Sequence, residues 1–279
     1  MWSSGRRAGA ATLLAPTWSI RPVAPLASSA LVPFVGAGIL VLVWSLVSLR
    51  FHVTVFPSPL ETVQEAARLL SNAELFQHTG ASLFRLFLGF ALGSALAIPV
   101  GFGMGLFLFV RRMMEPITEF FRFIPAIALV VFALIWFGIG ESSKVFLIVY
   151  NAFFTVAMNT EAGVAHVLPN RMRAVQSLGG GRWDTFCLVV VPSVVPYILT
   201  GMRLGMGRSF ATIVSAEILA ANSGLGYLIY SSREYSKMDT VVVAILLLGA
   251  LGLLADRLFR GLTRRLAGGY LPAGDATGS

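Results

Sequence analysis

The sequence predicts an all-α, polytopic membrane protein with about six transmembrane helices, and three observations support this prediction. Hydrophobic residues make up 56% of the 279 residues and charged residues only 12%, which is far from the balance of soluble domains. Apolar runs close to the ~20 residues that a helix needs to cross a bilayer recur along the chain. Arginines gather at the ends of these runs, mainly on one side, as expected for oriented spans.

Six apolar segments account for the predicted spans. A soluble core helix is the alternative for any one of them, but the repeated spanning length favours a membrane protein. Five segments carry no charged residue: 31–49, 86–110, 123–139, 145–160 and 240–255. The sixth, 194–221, contains Arg203, Arg208 and Glu217.

The basic residues predict which side of the membrane each loop faces. The more basic side has Arg6, Arg7, Arg21, Arg111, Arg112, Arg122, Arg171, Arg173, Arg182, Arg257, Arg260, Arg264 and Arg265. The other side has Arg50, Arg68, Arg85, Lys144, Arg233 and Lys237. Because cytoplasmic loops are the more basic ones and six spans put both termini on one side, we expect both termini in the cytoplasm. The net charge of +8 then reflects topology and anionic lipid, and arginines spread over several loops do not indicate a nucleic-acid partner.

Composition divides the chain into three parts. Residues 1–28 are rich in Ala, Ser, Pro and Arg and are predicted to form a disordered cytoplasmic arm. Residues 29–266 form the membrane domain, with a polar loop over 161–193, and residues 267–279 form a flexible cytoplasmic tail. Because the first apolar run reaches spanning length without a short cleavable region, a retained span is favoured over a cleaved signal.

No catalytic, nucleotide-binding or metal-binding motif is found in the sequence. It lacks the phosphate-binding loop, the His-Glu-x-x-His motif and the Gly-x-Ser-x-Gly elbow. The lone Cys187 and the widely spaced His52 and His78 do not form a ligand set. The sequence therefore predicts a protein that is not an enzyme and holds no cofactor, so that any ATPase driving it must be another chain.

The segment 169–192 combines a helix start, a glycine and a proline between two spans. Pro169 suits the first turn of a helix, Gly179 suits its end, and Pro192 is predicted to stop the segment that follows. Such a helix would place Val175 and Leu178 on one side, available to a groove of a soluble partner. An ordinary interfacial helix is the alternative.

This segment resembles the cytoplasmic coupling motif of ABC importer permeases, Glu-Ala-Ala-x-x-x-Gly followed by Ile-x-Leu-Pro. The matching positions are 173–175, Gly179 and 189–192. Further stretches resemble the nitrate, sulfonate and taurine group of that family: 56–59, 136–141, 159–164, 177–179, 182–183 and 223–229. Arg173 departs from the motif because a glutamate is usual there, and Val175 replaces a smaller alanine. We expect the ATPase surface to compensate, for example with an acidic residue facing Arg173.

The resemblance implies the permease subunit of a bacterial inner-membrane importer that moves a small solute, an anion such as a sulfonate, taurine or nitrate. It also implies a homodimer, an extracytoplasmic solute-binding protein, surrounding membrane lipid, and separate ABC ATPase subunits that bind ATP and Mg²⁺. The residues that it assigns to coupling with the ATPase are Arg173, Ala174, Val175, Gln176, Ser177, Leu178, Gly179, Arg182, Trp183 and Pro192.

Polar residues within the spans predict the route of the solute: Asn151, Thr155, Asn159, Arg208, Ser215 and Glu217. Ionisable groups at membrane depth usually face a cavity or a partner. Two alternatives stay open, because polar side chains also join helices by hydrogen bonds and arginines near an interface extend to water. For function, the alternative is a self-sufficient secondary carrier or channel, although no internal repeat typical of such carriers is seen.

Small residues recur every four positions in the second predicted span, at Gly89, Gly93, Ala97, Gly101 and Gly105. This spacing predicts a face for close helix packing. The partner of that face is either another span of the same chain or a second copy.

Overall fold

The computed structural model describes residues 32–51 and 56–267. The described residues form helices and short connections without a β-strand, which confirms the predicted all-α class. The predicted arm at 1–28, His52 and the predicted tail beyond Ala267 lie outside the described residues.

Eleven α-helices follow one another in the described chain. They are α1 (Val32–Arg50), α2 (Pro59–Ser71), α3 (Glu74–Leu106), α4 (Leu108–Phe121), α5 (Val130–Phe137), α6 (Glu141–Ala165), α7 (Pro169–Ser177), α8 (Arg182–Thr185), α9 (Val191–Ala220), α10 (Leu225–Glu234) and α11 (Met238–Ala267). A 3₁₀ turn, Ala126–Leu129, precedes α5, and a π-helix, Phe186–Val190, joins α8 to α9.

Four stretches of helix in the described chain are long and apolar enough to cross a membrane by themselves. They are Glu74–Leu106, Glu141–Ala165, Arg182–Leu219 and Met238–Arg265. The helical pair 108–121 and 126–137 passes the same test together, as one broken span. The helix α1 adds a shorter apolar segment. Counted together, these elements match the six predicted apolar segments in order along the chain.

The third predicted span, over 123–139, corresponds to the second half of a broken span. The two halves of this span meet at a bend of 90°, and the break falls at Pro125, whose backbone is extended. A proline donates no backbone hydrogen bond and disfavours helix in the residue before it. The Tyr150 hydroxyl donates to the carbonyl oxygens of Phe121 at 2.5 Å and of Ile124 at 3.3 Å, so two of the carbonyls at the break are satisfied.

The centre of the bundle is formed by α3, α6 and α9. Apolar side chains from all three helices are fully or almost fully buried there, among them Leu86, Ile148 and Ile213. A second cluster joins α2, α10 and α11 through residues such as Leu69, Leu225 and Ala244. The inward-facing apolar side chains of these helices form the two clusters. Their remaining apolar side chains are exposed and so are available to lipid.

The predicted small-residue face of α3 packs against α6 of the same chain. A Cβ added at Gly101 would lie 2.6 Å from the carbonyl oxygen of Ala157, and one added at Gly93 would lie 2.8 Å from that of Val149. Ala97, between them, is completely buried. The two backbones therefore approach closely enough that a side chain has no room.

The helix α2 is a capped, amphipathic helix that packs on α11 through its buried face. Ser58 and Glu61 form a reciprocal capping box at its start, which satisfies free backbone donors of the first turn. Its buried Glu65 accepts a hydrogen bond of 2.6 Å from the Thr240 hydroxyl. The neighbouring Arg68 guanidinium holds the pKa of the Glu65 carboxyl below its usual value.

We predict that Gly101→Ala lowers the thermal stability of the purified protein because the added methyl group meets the α6 backbone. Overpacking of this kind costs about 1–3 kcal/mol. The matched control is Gly249→Ala on α11, where nothing lies within 4 Å of the added Cβ. Melting temperatures measured in detergent should fall for the first variant and stay level or rise slightly for the second; equal effects would contradict the packing of α3 on α6.

Candidate functional site

The segment that follows α6 folds as the short helix that the sequence predicts. Pro169 stands in the first turn of α7, and Leu178 caps its end. Gly179 follows with a φ of +85°, a conformation that a side chain would strain. The amide of Gly180 then donates to the Val175 carbonyl at 3.0 Å. The predicted helix with a terminating glycine is therefore confirmed.

The surface formed by α7, its glycine turn and α8, called the docking segment below (residues 169–185), is mostly exposed. The side chains of Leu178 and Trp183 are 88% and 72% exposed, and Trp183 stacks on Phe186. The predicted coupling residues Arg173, Ala174, Gln176, Ser177, Gly179 and Arg182 are exposed as well.

Val175 differs from its neighbours because it is only half-exposed. A Cβ added at Gly180 would lie 2.5 Å from its Cγ1, so the valine packs beneath the turn that follows α7. Leu178, instead of Val175, is therefore the principal exposed apolar side chain of this helix.

The prediction that Pro192 stops the segment after α8 is wrong. Pro192 lies in the first turn of α9, and the chain is helical without a break from Arg182 to Leu219. The π-helix just before it has a wider turn, which accommodates a residue that cannot donate a backbone hydrogen bond. The docking segment is therefore continuous with a membrane-spanning helix.

Four of the predicted path residues line one cavity of about 420 Å³ between α6, α9 and the break in the α4–α5 span. They are Asn151, Thr155, Asn159 and Arg208. Ser215 lines a smaller cavity of about 270 Å³, which shares Asn151, Arg208 and Arg122 with the first. The structure thus brings together five of the six residues that the sequence singled out for the route.

Hydrogen bonds hold several of these side chains in place. The Asn151 amide donates to the Thr212 hydroxyl at 2.5 Å and to the Arg208 carbonyl at 3.2 Å. The Arg208 guanidinium donates to the Thr155 hydroxyl at 3.2 Å. The alternative of helix-joining polar residues therefore describes part of what these residues do, and their assignment to the path of the solute stays a prediction.

The larger cavity carries positive charge. Arg208 and Arg122 both line it, while no described aspartate or glutamate does. The polar side chains of Asn151, Asn159 and Thr155 line the same space, and each donates a hydrogen bond to another group of the protein. Two cations without a carboxylate form a chemical environment that favours an anion. The sequence did not single out Arg122 for this role, because it appeared only as a basic residue at a span end.

Glu217, the sixth predicted path residue, lies elsewhere. Its side chain is completely buried, and it accepts hydrogen bonds from the Arg85 guanidinium at 2.7 Å and from the Gly226 amide at 2.9 Å. A buried carboxylate whose oxygens are all engaged in hydrogen bonds is typical of a structural ion pair. This position corrects the assignment of Glu217 to the path of the solute. The sequence also treated Arg85 as an outer loop cation, although its side chain is only 3% exposed.

Arg203 has a partner of its own on another helix. Its guanidinium forms an ion pair with Asp256 of α11, and Arg260 pairs with the same carboxylate at 2.8 Å. The alternative that Arg203 merely extends to water is therefore incomplete, because the residue joins α9 to α11.

Comparison with known sequences identifies the family. The model of the family described as binding-protein-dependent transport system inner membrane component matches residues 89–268. The chain is 42% identical over 212 residues to a probable ABC transporter permease protein of Brucella melitensis, covering 76% of this chain and 86% of the relative. It is 38% identical over 229 residues to the taurine transport system permease protein TauC of Escherichia coli, covering 80% and 83%.

Solved structures agree with this fold. The MetNI methionine ABC transporter in inward-facing conformations contains a chain that matches with a TM-score of 0.61, covering 68% of this chain and 94% of that one, at 18% sequence identity. The exposed docking segment, the membrane helices and the family match lead to the same conclusion: the chain belongs to the inner-membrane permease components of binding-protein-dependent ABC transport systems.

Proposed function

We propose that this permease imports a small anion, such as a sulfonate, taurine or nitrate, across the bacterial inner membrane. The observation that carries the proposal is the cavity lined by Arg122 and Arg208 together with the amides of Asn151 and Asn159. Taurine, which is named for the relative from Escherichia coli, carries a sulfonate group, and the negative charge of that group is what this cavity favours.

The proposed complex contains two copies of this chain, two ABC ATPase subunits that bind ATP and Mg²⁺, and an extracytoplasmic solute-binding protein. The exposed docking segment supports the ATPase as a partner, because Leu178 and Trp183 offer an apolar and an aromatic side chain of the kind found at interface hot spots. Exposed Arg173 stands where the family usually has glutamate, so we propose that it faces an acidic side chain of the ATPase.

The basic residues support an orientation with the docking segment and both termini in the cytoplasm. In that orientation Arg111, Arg112, Arg171 and Arg173 lie on the cytoplasmic side. The opposite end of the bundle, with α2 and α10, then faces the solute-binding protein. A self-sufficient carrier loses support, because the family is a transporter component that depends on other subunits.

We predict that Leu178→Asp abolishes copurification of the ATPase with the permease. The change places a charge at the centre of an apolar contact without disturbing the permease, since Leu178 is 88% exposed. The matched control is Tyr235→Asp, which changes a residue 76% exposed after α10, far along the chain from the docking segment. If Leu178→Asp kept the ATPase bound as firmly as Tyr235→Asp does, the docking assignment would be refuted.

We predict that Arg208→Gln lowers the uptake of radiolabelled taurine, of an alkanesulfonate or of nitrate by about tenfold or more, which corresponds to about 1.4 kcal/mol. The cause is the loss of a cation from the cavity. Arg208→Lys should retain much more of the uptake because it keeps the charge.

Hydrolysis of ATP by the assembled transporter separates this effect from a loss of coupling. Arg208→Gln should leave basal hydrolysis close to that of the unaltered complex. Unchanged uptake of all three anions by Arg208→Gln would remove Arg208 from the path.

A further inference from the structure

A group of charged side chains lies at the end of the bundle opposite the docking segment. It contains Arg85 of α3, Glu141 in the first turn of α6, and Glu217 near the end of α9. The helix α6 has 25 residues and is therefore about 37 Å long, and the docking segment follows its other end. We call this group the outer ion cluster.

One arm of the outer ion cluster, the Arg85–Glu217 ion pair, is buried. The Glu217 carboxylate accepts hydrogen bonds from the Arg85 guanidinium at 2.7 Å, from the Ser82 hydroxyl at 2.8 Å and from the Gly226 amide at 2.9 Å. The Leu225 amide donates to the Ser82 hydroxyl at 2.8 Å. The first amides of α10 are thus capped by α3 and α9, which fixes these three helices to one another.

The same arm also includes the connection between α9 and α10. The Arg85 guanidinium donates to the Ser223 carbonyl at 2.6 Å and to its hydroxyl at 2.8 Å. A Cβ added at Gly224 would lie 2.2 Å from the Glu217 carboxylate, so the loop backbone lies directly on the ion pair. Breaking this arm would leave charges without partners in a dry interior, which is strongly unfavourable.

The other arm, the Arg85–Glu141 ion pair, is open to water on the side of Glu141. Glu141 forms a bidentate ion pair with Arg85, yet its side chain is 53% exposed. Lys144 donates to the same carboxylate at 3.1 Å. When the pair separates, the exposed carboxylate regains its hydration and the buried Arg85 guanidinium keeps Glu217 as a partner, so this arm opens at lower cost than the buried one.

The chain just before Glu141 contains two glycines with open space around them, so it has room to bend. Gly138 has a φ of +74°, and no atom lies within 4 Å of a Cβ added at Gly138 or at Gly140. These glycines connect Glu141 to α5, the second half of the broken span. The residues just before α5, Ile124 to Ile127, line the smaller cavity of about 270 Å³ that also contains Ser215.

We propose that the Arg85–Glu141 ion pair is a latch that keeps the outer end of the bundle closed and opens at Glu141 during the transport cycle. Arg85 stays with Glu217, α9 and α10 throughout. Release of Glu141 frees the first turn of α6, which precedes the close packing of Gly89 on Ile148, and, through the glycine joint, α5, whose leading residues border the cavity. The proposal rests on the proposed function, because it requires ATP hydrolysis by a partner to drive the opening.

The test follows the exposure of a buried residue beside Glu141. Ser143 is 1% exposed, and its hydroxyl donates to the Gly140 carbonyl at 2.9 Å. We would place Ser143→Cys in a Cys187→Ser background, since Cys187 is the only cysteine, and measure the labelling rate with a membrane-impermeant maleimide. The complete transporter is used, without nucleotide and after trapping with ATP and vanadate.

The latch predicts that trapping raises the labelling rate of Cys at position 143 by about tenfold or more. In a second variant that adds Glu141→Gln, labelling should already be fast without nucleotide, while the melting temperature stays near that of the parent. The control is Ser232→Cys on α10, a residue 6% exposed that belongs to the stationary side, and its labelling rate should not change.

Two results would overturn the latch. In one, vanadate traps the transporter but labelling at position 143 stays constant. In the other, Glu141→Gln leaves labelling as slow as in the parent without nucleotide. A complex without vanadate-sensitive ATP hydrolysis is a different failure, since it would refute the proposed function and the latch would fall with it.

Discussion

The packing of α3 against α6 is the interaction on which the rest of the structure depends. It requires the backbones to approach at Gly93 and Gly101, where a side chain would meet the facing carbonyl groups. Once α6 is fixed in this way, one of its ends carries Glu141, its partly buried middle carries Asn151 and the other cavity-lining residues of this helix, and its other end leads into the docking segment. One helix therefore runs past every feature to which we assign a role, and its position is set by glycines without side-chain chemistry of their own.

The cavity lined by Arg122 and Arg208 depends on a break in a helix and not on a regular helix. The break at Pro125 places Arg122 beside Arg208 of α9, although the two residues are distant in sequence. Irregular backbone at membrane depth is tolerated where protein or a cavity surrounds it, and Tyr150 supplies the hydrogen bonds that the break needs. The polar groups that line the cavity are held in place by their own contacts, so the anion binding that we propose would require little reorganisation of them.

Much of this fold could be predicted from the sequence, and the exceptions have physical reasons. Hydropathy located the apolar segments, and Gly179 located the end of α7, because both depend on local chemistry. The bend at Pro125 and the continuous helix through Pro192 depend on tertiary partners and on a widened turn, which spacing does not reveal. Arg85 and Glu217 were misjudged for a related reason: a charge near the end of an apolar run looks the same whether it faces water or a partner 132 positions away.

The π-helix before α9 has a consequence for how the two ends of this long helix are aligned. A π-turn holds about one more residue than an α-turn, and each residue of an α-helix corresponds to about 100° of rotation around the axis. The five residues Phe186–Val190 therefore set the angular phase between Trp183 and the cavity-facing side of α9. Loss of one residue from this stretch would turn the wide turn into an α-turn and keep the docking segment and the cavity-facing side of α9 in phase, whereas loss of one residue from the regular part of α9 would rotate them apart by about 100°. The wide turn is therefore the one place where this helix holds an extra residue without losing the alignment of its two surfaces.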